Sequence, residues 1–175
     1  MYDKPMYAKI KYLTATLLLI SFVLLSILIP GGAIETRSFT HIAPYILGSF
    51  NIFLTFLGMT SLLLTYFVIR KLKWAYFISI ICAASYLSVY ALDLGGIFPI
   101  SPDPMPTGLF VIEIVGSIIS IPLMYFSILG LSNNSNDNKP EVVNIHSKKF
   151  AFIALILITV CVNIIIFATK SAMGN

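Results

Sequence analysis

Charge is the scarcest property of this sequence: only 10% of its 175 residues are charged, while 58% are hydrophobic. A soluble domain is about one quarter charged, and so few charges cannot cover the surface of a small soluble fold. Cysteine and histidine are scarcer still, with two of each. Cys82 and Cys161 both lie inside apolar stretches with no Cys or His at ligand spacing, so they read as buried thiols rather than a disulfide or a metal pair. There is no H-E-x-x-H, no G-x-S-x-G, no P-loop and no G-x-G-x-x-G, which leaves no support for the hydrolase, nucleotide-binding or dinucleotide-binding chemistry those motifs carry. Internal repeats are absent too, and no cofactor or metal is implied.

What is abundant is apolar sequence of membrane length. A hydrocarbon core about 30 Å thick needs about 20 helical residues at 1.5 Å each, and five runs meet that requirement. They are 13–29, 45–69, 74–92, 108–131 and 150–169. The expected fold is therefore an all-α integral membrane protein, a single domain over 1–175 built as a polytopic bundle of about five transmembrane helices. The first run exceeds the apolar length of a signal peptide and precedes Pro30-Gly31-Gly32-Ala33, a poor cleavage site, so it is expected to stay as a span.

The basic residues set the expected orientation. Of eleven Lys and Arg, nine fall on one side of the alternating topology (Lys4, Lys9, Lys11, Arg70, Lys71, Lys73, Lys139, Lys148 and Lys149) and two on the other, Arg37 and Lys170. The positive-inside rule then places the N-terminus inside and the C-terminus outside, in a plasma membrane. Being dispersed in twos and threes, these residues make no nucleic-acid-binding patch. The expected partners are the lipid bilayer and a second membrane protein or another copy of the chain.

The connections differ in kind. Residues 70–73 are short enough to force the second and third helices to be antiparallel neighbours, whereas 132–149, rich in Asn and Ser, reads as a mobile cytoplasmic linker. Such a linker imposes little geometry on the fifth helix, which is expected as a peripheral addition to a four-helix unit. The segment 93–107 holds two glycines and four prolines among Ile97, Phe98, Ile100 and Met105. It cannot be helical, and is expected to fold over the outer helix ends as a lid with its apolar side chains buried.

Ionisable groups inside spans are costly and mark candidate sites. Glu113 lies about 8 Å into the fourth helix at helical rise, and Asp93 ends the third. Tyr86, Tyr90 and Asp93 recur at i, i+4 and i+7, one face of a helix. Together with Arg37 and His41 of the first outer loop they define a candidate outward-facing binding pocket. Glu113 should either keep its proton or face a cation, for which Arg37 is the outer-loop candidate. Asn51 and Asn163 are candidate interhelical hydrogen-bonding amides, and Gly116 with Ser120 a close-packing pair. These features favour a non-catalytic accessory or binding subunit acting through its outer face. The alternatives are a small transporter or channel subunit using the Tyr/Asp/Glu pocket, and a membrane enzyme with outer-face acid–base chemistry.

Overall fold

The computed structural model describes residues 4–133 and 147–173, with side chains placed for 9–133 and 159–173. Five helices follow one another: α1 (Lys4–Ile27), α2 (Pro44–Ile69), α3 (Lys73–Leu94), α4 (Thr107–Asn133) and α5 (Ser147–Ala172). The first four are long and apolar enough to cross a membrane, and the stretch Thr159–Ala172 of α5 is apolar but shorter. The chain is thus the small membrane helical bundle expected, and each of the five apolar runs falls largely within one helix. Most of the 132–149 linker lies outside the described residues.

Helices α1 to α4 run alternately up and down and close into a ring, with α1 against α2 and α4, and α3 against α2 and α4. Helix α5 leans on the outside of α2, which matches its expected peripheral place. The turn between α2 and α3 is tight because Lys71 takes a left-handed conformation (φ 60°), and its N–H and that of Leu72 return to the carbonyls of Val68 and Phe67.

Burial along α3 and α4 follows alternating steps of three and four. On α4 it runs Leu109, Glu113, Gly116, Ser120, Leu123, Ser127, Gly130, and on α3 the same rhythm carries Tyr76, Ser79, Ala83, Tyr86, Tyr90, Asp93. That is the spacing of a left-handed antiparallel bundle. In water such a seam would be almost wholly apolar, but here Ser, Gly, Ala and Thr share it with Leu and Tyr, while Ile, Leu and Phe crowd the exposed faces. Lipid is as apolar as leucine, so burying leucine gains little, whereas small residues let backbones approach and gain contact. Five seam hydroxyls, on Thr14, Ser61, Ser79, Ser120 and Ser127, satisfy themselves on the carbonyl one turn earlier.

The α3–α4 pair shows large side chains set against small ones. A Cβ on Gly116 would meet Cε2 of Tyr90 at 2.5 Å, and one on Gly130 would meet the ring of Tyr76. Tyr76 with Gly130 and Tyr90 with Gly116 are two heptads apart along antiparallel helices, and one half-heptad further on the same register brings Asp93 beside Glu113. Packing of two glycines thereby aligns two carboxyl groups.

Candidate functional site

The site is built at the end of the bundle where α3 ends and α4 begins. Asp93 lies in the last turn of α3, and the helix stops just after it because Gly96 turns left-handed (φ 60°) and Ile97 N–H returns to the carbonyl of Leu92. The loop between α1 and α2 supplies the remaining charges. It is drawn over the bundle by three contacts: Phe39 N–H donates to the Ala172 carbonyl at the end of α5 (3.0 Å), Ser38 N–H donates to Asp103 (2.8 Å), and Ser101 Oγ donates to the Ser38 carbonyl (3.0 Å). Glu35 and Arg37 are consequently buried although they belong to a loop.

Arg37 is gripped from two sides. Its Nη1 and Nη2 donate to Oδ1 and Oδ2 of Asp93 at 2.9 and 2.7 Å, and its Nε and Nη2 donate to Oε1 and Oε2 of Glu35 at 3.0 and 2.6 Å. The Arg37 backbone N–H adds a further bond to Glu35, and the guanidinium lies 5.3 Å from the Phe39 ring centre. Burial disfavours the guanidinium charge, but the hydrogen bonds and negative charges of Asp93 and Glu35 outweigh it and raise the Arg37 pKa above its already high ordinary value. Planar two-pronged pairing of this kind is what arginine does and lysine cannot.

The third carboxyl, Glu113, is 2% exposed and hydrogen-bonded to Asp93, which requires a proton between the two, but its Oε2 has no partner. Of the two alternatives for Glu113, pairing with Arg37 does not form: the guanidinium is taken up by Asp93 and Glu35, which meet it in bidentate geometry. Tyr90, 1% exposed, also has an unpartnered hydroxyl. Four buried side-chain atoms among the described residues lack partners, and the residues of two of them, Glu113 and Tyr90, line one cavity of about 50 Å³ together with Glu35, Asp93 and Asn51. A single water needs about 10–15 Å³ by this measure, so the space admits a few heavy atoms. A buried polar atom left alone costs about 1–3 kcal/mol, so two facing one small space call for an explanation.

The other sequence candidates separate. Tyr86 stacks on Tyr90 (centroids 6.2 Å apart) and donates to Ser61 Oγ at 3.0 Å, which places it below the cavity rather than in its wall. His41 is exposed and outside the lining. Asn51 crosses to α5, donating to Thr169 Oγ1 at 3.1 Å, whereas Asn163 is exposed and bonds the Thr159 carbonyl of its own helix, not a neighbour. Segment 93–107 departs from the expected burial. Phe98 packs edge-on against Phe50 (5.0 Å) and Pro99 lines the cavity, but Ile97 and Ile100 stay 62% and 59% exposed. The backbone bends at Phe98 and Pro99, so these two side chains turn toward the bundle while Ile97 and Ile100 on either side do not.

Glu35 is not among the binding residues expected from the sequence. Only its place two residues before Arg37 could have signalled it, since that spacing lets one carboxylate take both the backbone and the side chain of the arginine. No curated protein and no solved structure matches the chain. A family profile does match, over residues 10–142, a stretch that contains Glu35, Arg37, Tyr90, Asp93 and Glu113 and ends before α5. The chain belongs to that family, a domain of unknown function (DUF8051).

Proposed function

We propose that this protein is a multi-pass protein of the cell membrane, N-terminus inside, that acts as a non-catalytic binding subunit, and that the cavity at the Arg37 end takes a small cationic group. The observation that carries the reading is the pair of unpartnered buried atoms, Glu113 Oε2 and Tyr90 OH, on residues lining a cavity already walled by Glu35 and Asp93. Arg37 faces three carboxyl groups there, and even with one proton shared in the Asp93–Glu113 hydrogen bond the cluster holds one more negative than positive charge. Binding rather than passage is favoured because Tyr86 and Tyr90, both buried and stacked, fill the bundle axis beneath the cavity.

Thermal unfolding of the protein in nanodiscs, titrated with ethylammonium chloride against sodium chloride at equal ionic strength, tests this. A saturable rise in Tm for the wild type, absent in Glu113→Gln, is expected. Equal response to both salts, or no loss in Glu113→Gln, overturns the reading.

A further inference from the structure

The acidic cavity does not stand alone. Leu25, Leu28, Pro30, Asn51 and Leu54 line both it and a second cavity of about 50 Å³ between α1, α2 and α5, whose other walls include Phe22, Met59 and Ile164. That second space in turn shares Ser26, Ile29 and Ile164 with an apolar groove of about 360 Å³ on the α1–α5 surface. Three spaces therefore lie in series, from a flank of the bundle inward to the carboxyl groups. Their character changes along the way: Ile27, Ile29, Ile164 and Phe167 at the groove, Leu54 and Asn51 at the shared wall, and Glu113, Asp93 and Tyr90 at the inner end.

From this arrangement we infer that the ligand is an amphipathic primary amine, its ammonium head among Glu113, Tyr90 and Asp93 and its alkyl chain running out past Leu54 into the α1–α5 groove. The inference rests on the binding function proposed above and names the ligand class of that same site. An ammonium carries three donors and no acceptor, which suits the unpartnered carboxyl oxygen of Glu113 and the unpartnered phenol oxygen of Tyr90. A quaternary ammonium has no N–H to donate to these oxygens. The chain contributes because the middle cavity and the groove are apolar, and because a ligand already dissolved in the bilayer reaches the site without crossing water. Helix α5 supplies Ile164 and Ala168 to the middle cavity and, through Thr169, holds Asn51 in place, so it forms the outer wall of the path.

The test compares dodecylammonium, ethylammonium, dodecyltrimethylammonium and dodecanol on the full chain in nanodiscs, each corrected for partition into empty discs. In the wild type, dodecylammonium should bind at least tenfold more tightly than ethylammonium, with dodecanol and the trimethyl compound weaker than dodecylammonium by a similar factor. Leu54→Trp, which fills the shared wall, should remove the advantage of the long chain while leaving ethylammonium binding intact. Ile164→Trp on the peripheral helix should do the same if the first variant does not fold. Equal affinity for the two amines overturns the chain path but leaves the acidic site standing, and dodecanol or dodecyltrimethylammonium matching dodecylammonium overturns recognition of a primary ammonium head. No binding of either amine overturns the site itself.

Discussion

The α3–α4 interface uses the same device twice, with different results. Near the α2–α3 turn, Tyr76 lies over Gly130 and its hydroxyl reaches the Val68 carbonyl, at a long 3.5 Å. Two heptads away, Tyr90 lies over Gly116 in the same manner, yet its hydroxyl has no partner and shares a cavity with Glu113. Packing is common to both places, so it cannot account for the unpartnered atoms at one of them. The difference shows that the polar cavity belongs to its end of the bundle, where three carboxyl groups and one guanidinium meet, and is not a general consequence of fitting tyrosine against glycine.

The largest effect should come from taking away the buried cation that holds this end together, Arg37. Arg37→Met leaves Asp93 and Glu35 buried without their partner, and losing half of a buried pair costs about 3–5 kcal/mol. Adding Asp93→Leu should recover part of that loss, so that the double variant costs less than the two single ones together, as read by unfolding in nanodiscs. If the two variants simply add, the Arg37–Asp93 pairing is not a joint contributor to stability.

Next in size come the two glycines. Gly130→Ala and Gly116→Ala each drive a methyl into a tyrosine ring and should cost about 1–3 kcal/mol, with the Gly130 variant the worse because the ring of Tyr76 leaves less room there. Combining Gly130→Ala with Tyr76→Leu should restore most of the stability. A Gly130→Ala protein as stable as wild type would show that the helices can separate without cost and that the shared packing device is not needed.

Smaller changes sharpen the contrast between the two hydroxyls. Tyr76→Phe should lose up to about 1 kcal/mol, the value of a modest hydrogen bond, while Tyr90→Phe should be neutral or stabilising because it removes an unpartnered hydroxyl. The ethylammonium response should survive the first substitution and weaken in the second. Equal stability losses in both would mean that Tyr90 has a partner after all. At the bottom of the scale, His41→Ala should stay within about 0.5 kcal/mol and leave ethylammonium binding unchanged, since His41 is exposed and outside the cavity lining.

Much of this molecule was legible in its linear chain. Apolar length placed the helices, because a helix satisfies its own backbone in lipid and needs no information from elsewhere to do so. The turn at 70–73 followed from its shortness, and the shared face of Tyr86, Tyr90 and Asp93 followed from helical period. Glu113 and Asp93 announced themselves by the cost of carboxyl groups at membrane depth. By contrast, His41 and Glu35 lie in one loop six residues apart, and only the spacing of Glu35 from Arg37 hints that it is the buried one.

The sequence by itself determined that the chain is a bundle of membrane-length helices, which of their faces carry polar side chains, and which carboxyl groups need a companion. These are properties of length, period and solvation, each readable over a few turns. Only the tertiary structure decided that Arg37 serves Asp93 and Glu35 and leaves Glu113 Oε2 without a partner, that Asn51 reaches Thr169 while Asn163 turns back on its own helix, and that the acidic cavity shares a wall with an apolar one. The physical reason is that a guanidinium can satisfy only the carboxylates that meet it in its own plane, and which ones do is settled by glycine contacts and loop hydrogen bonds joining residues dozens of positions apart.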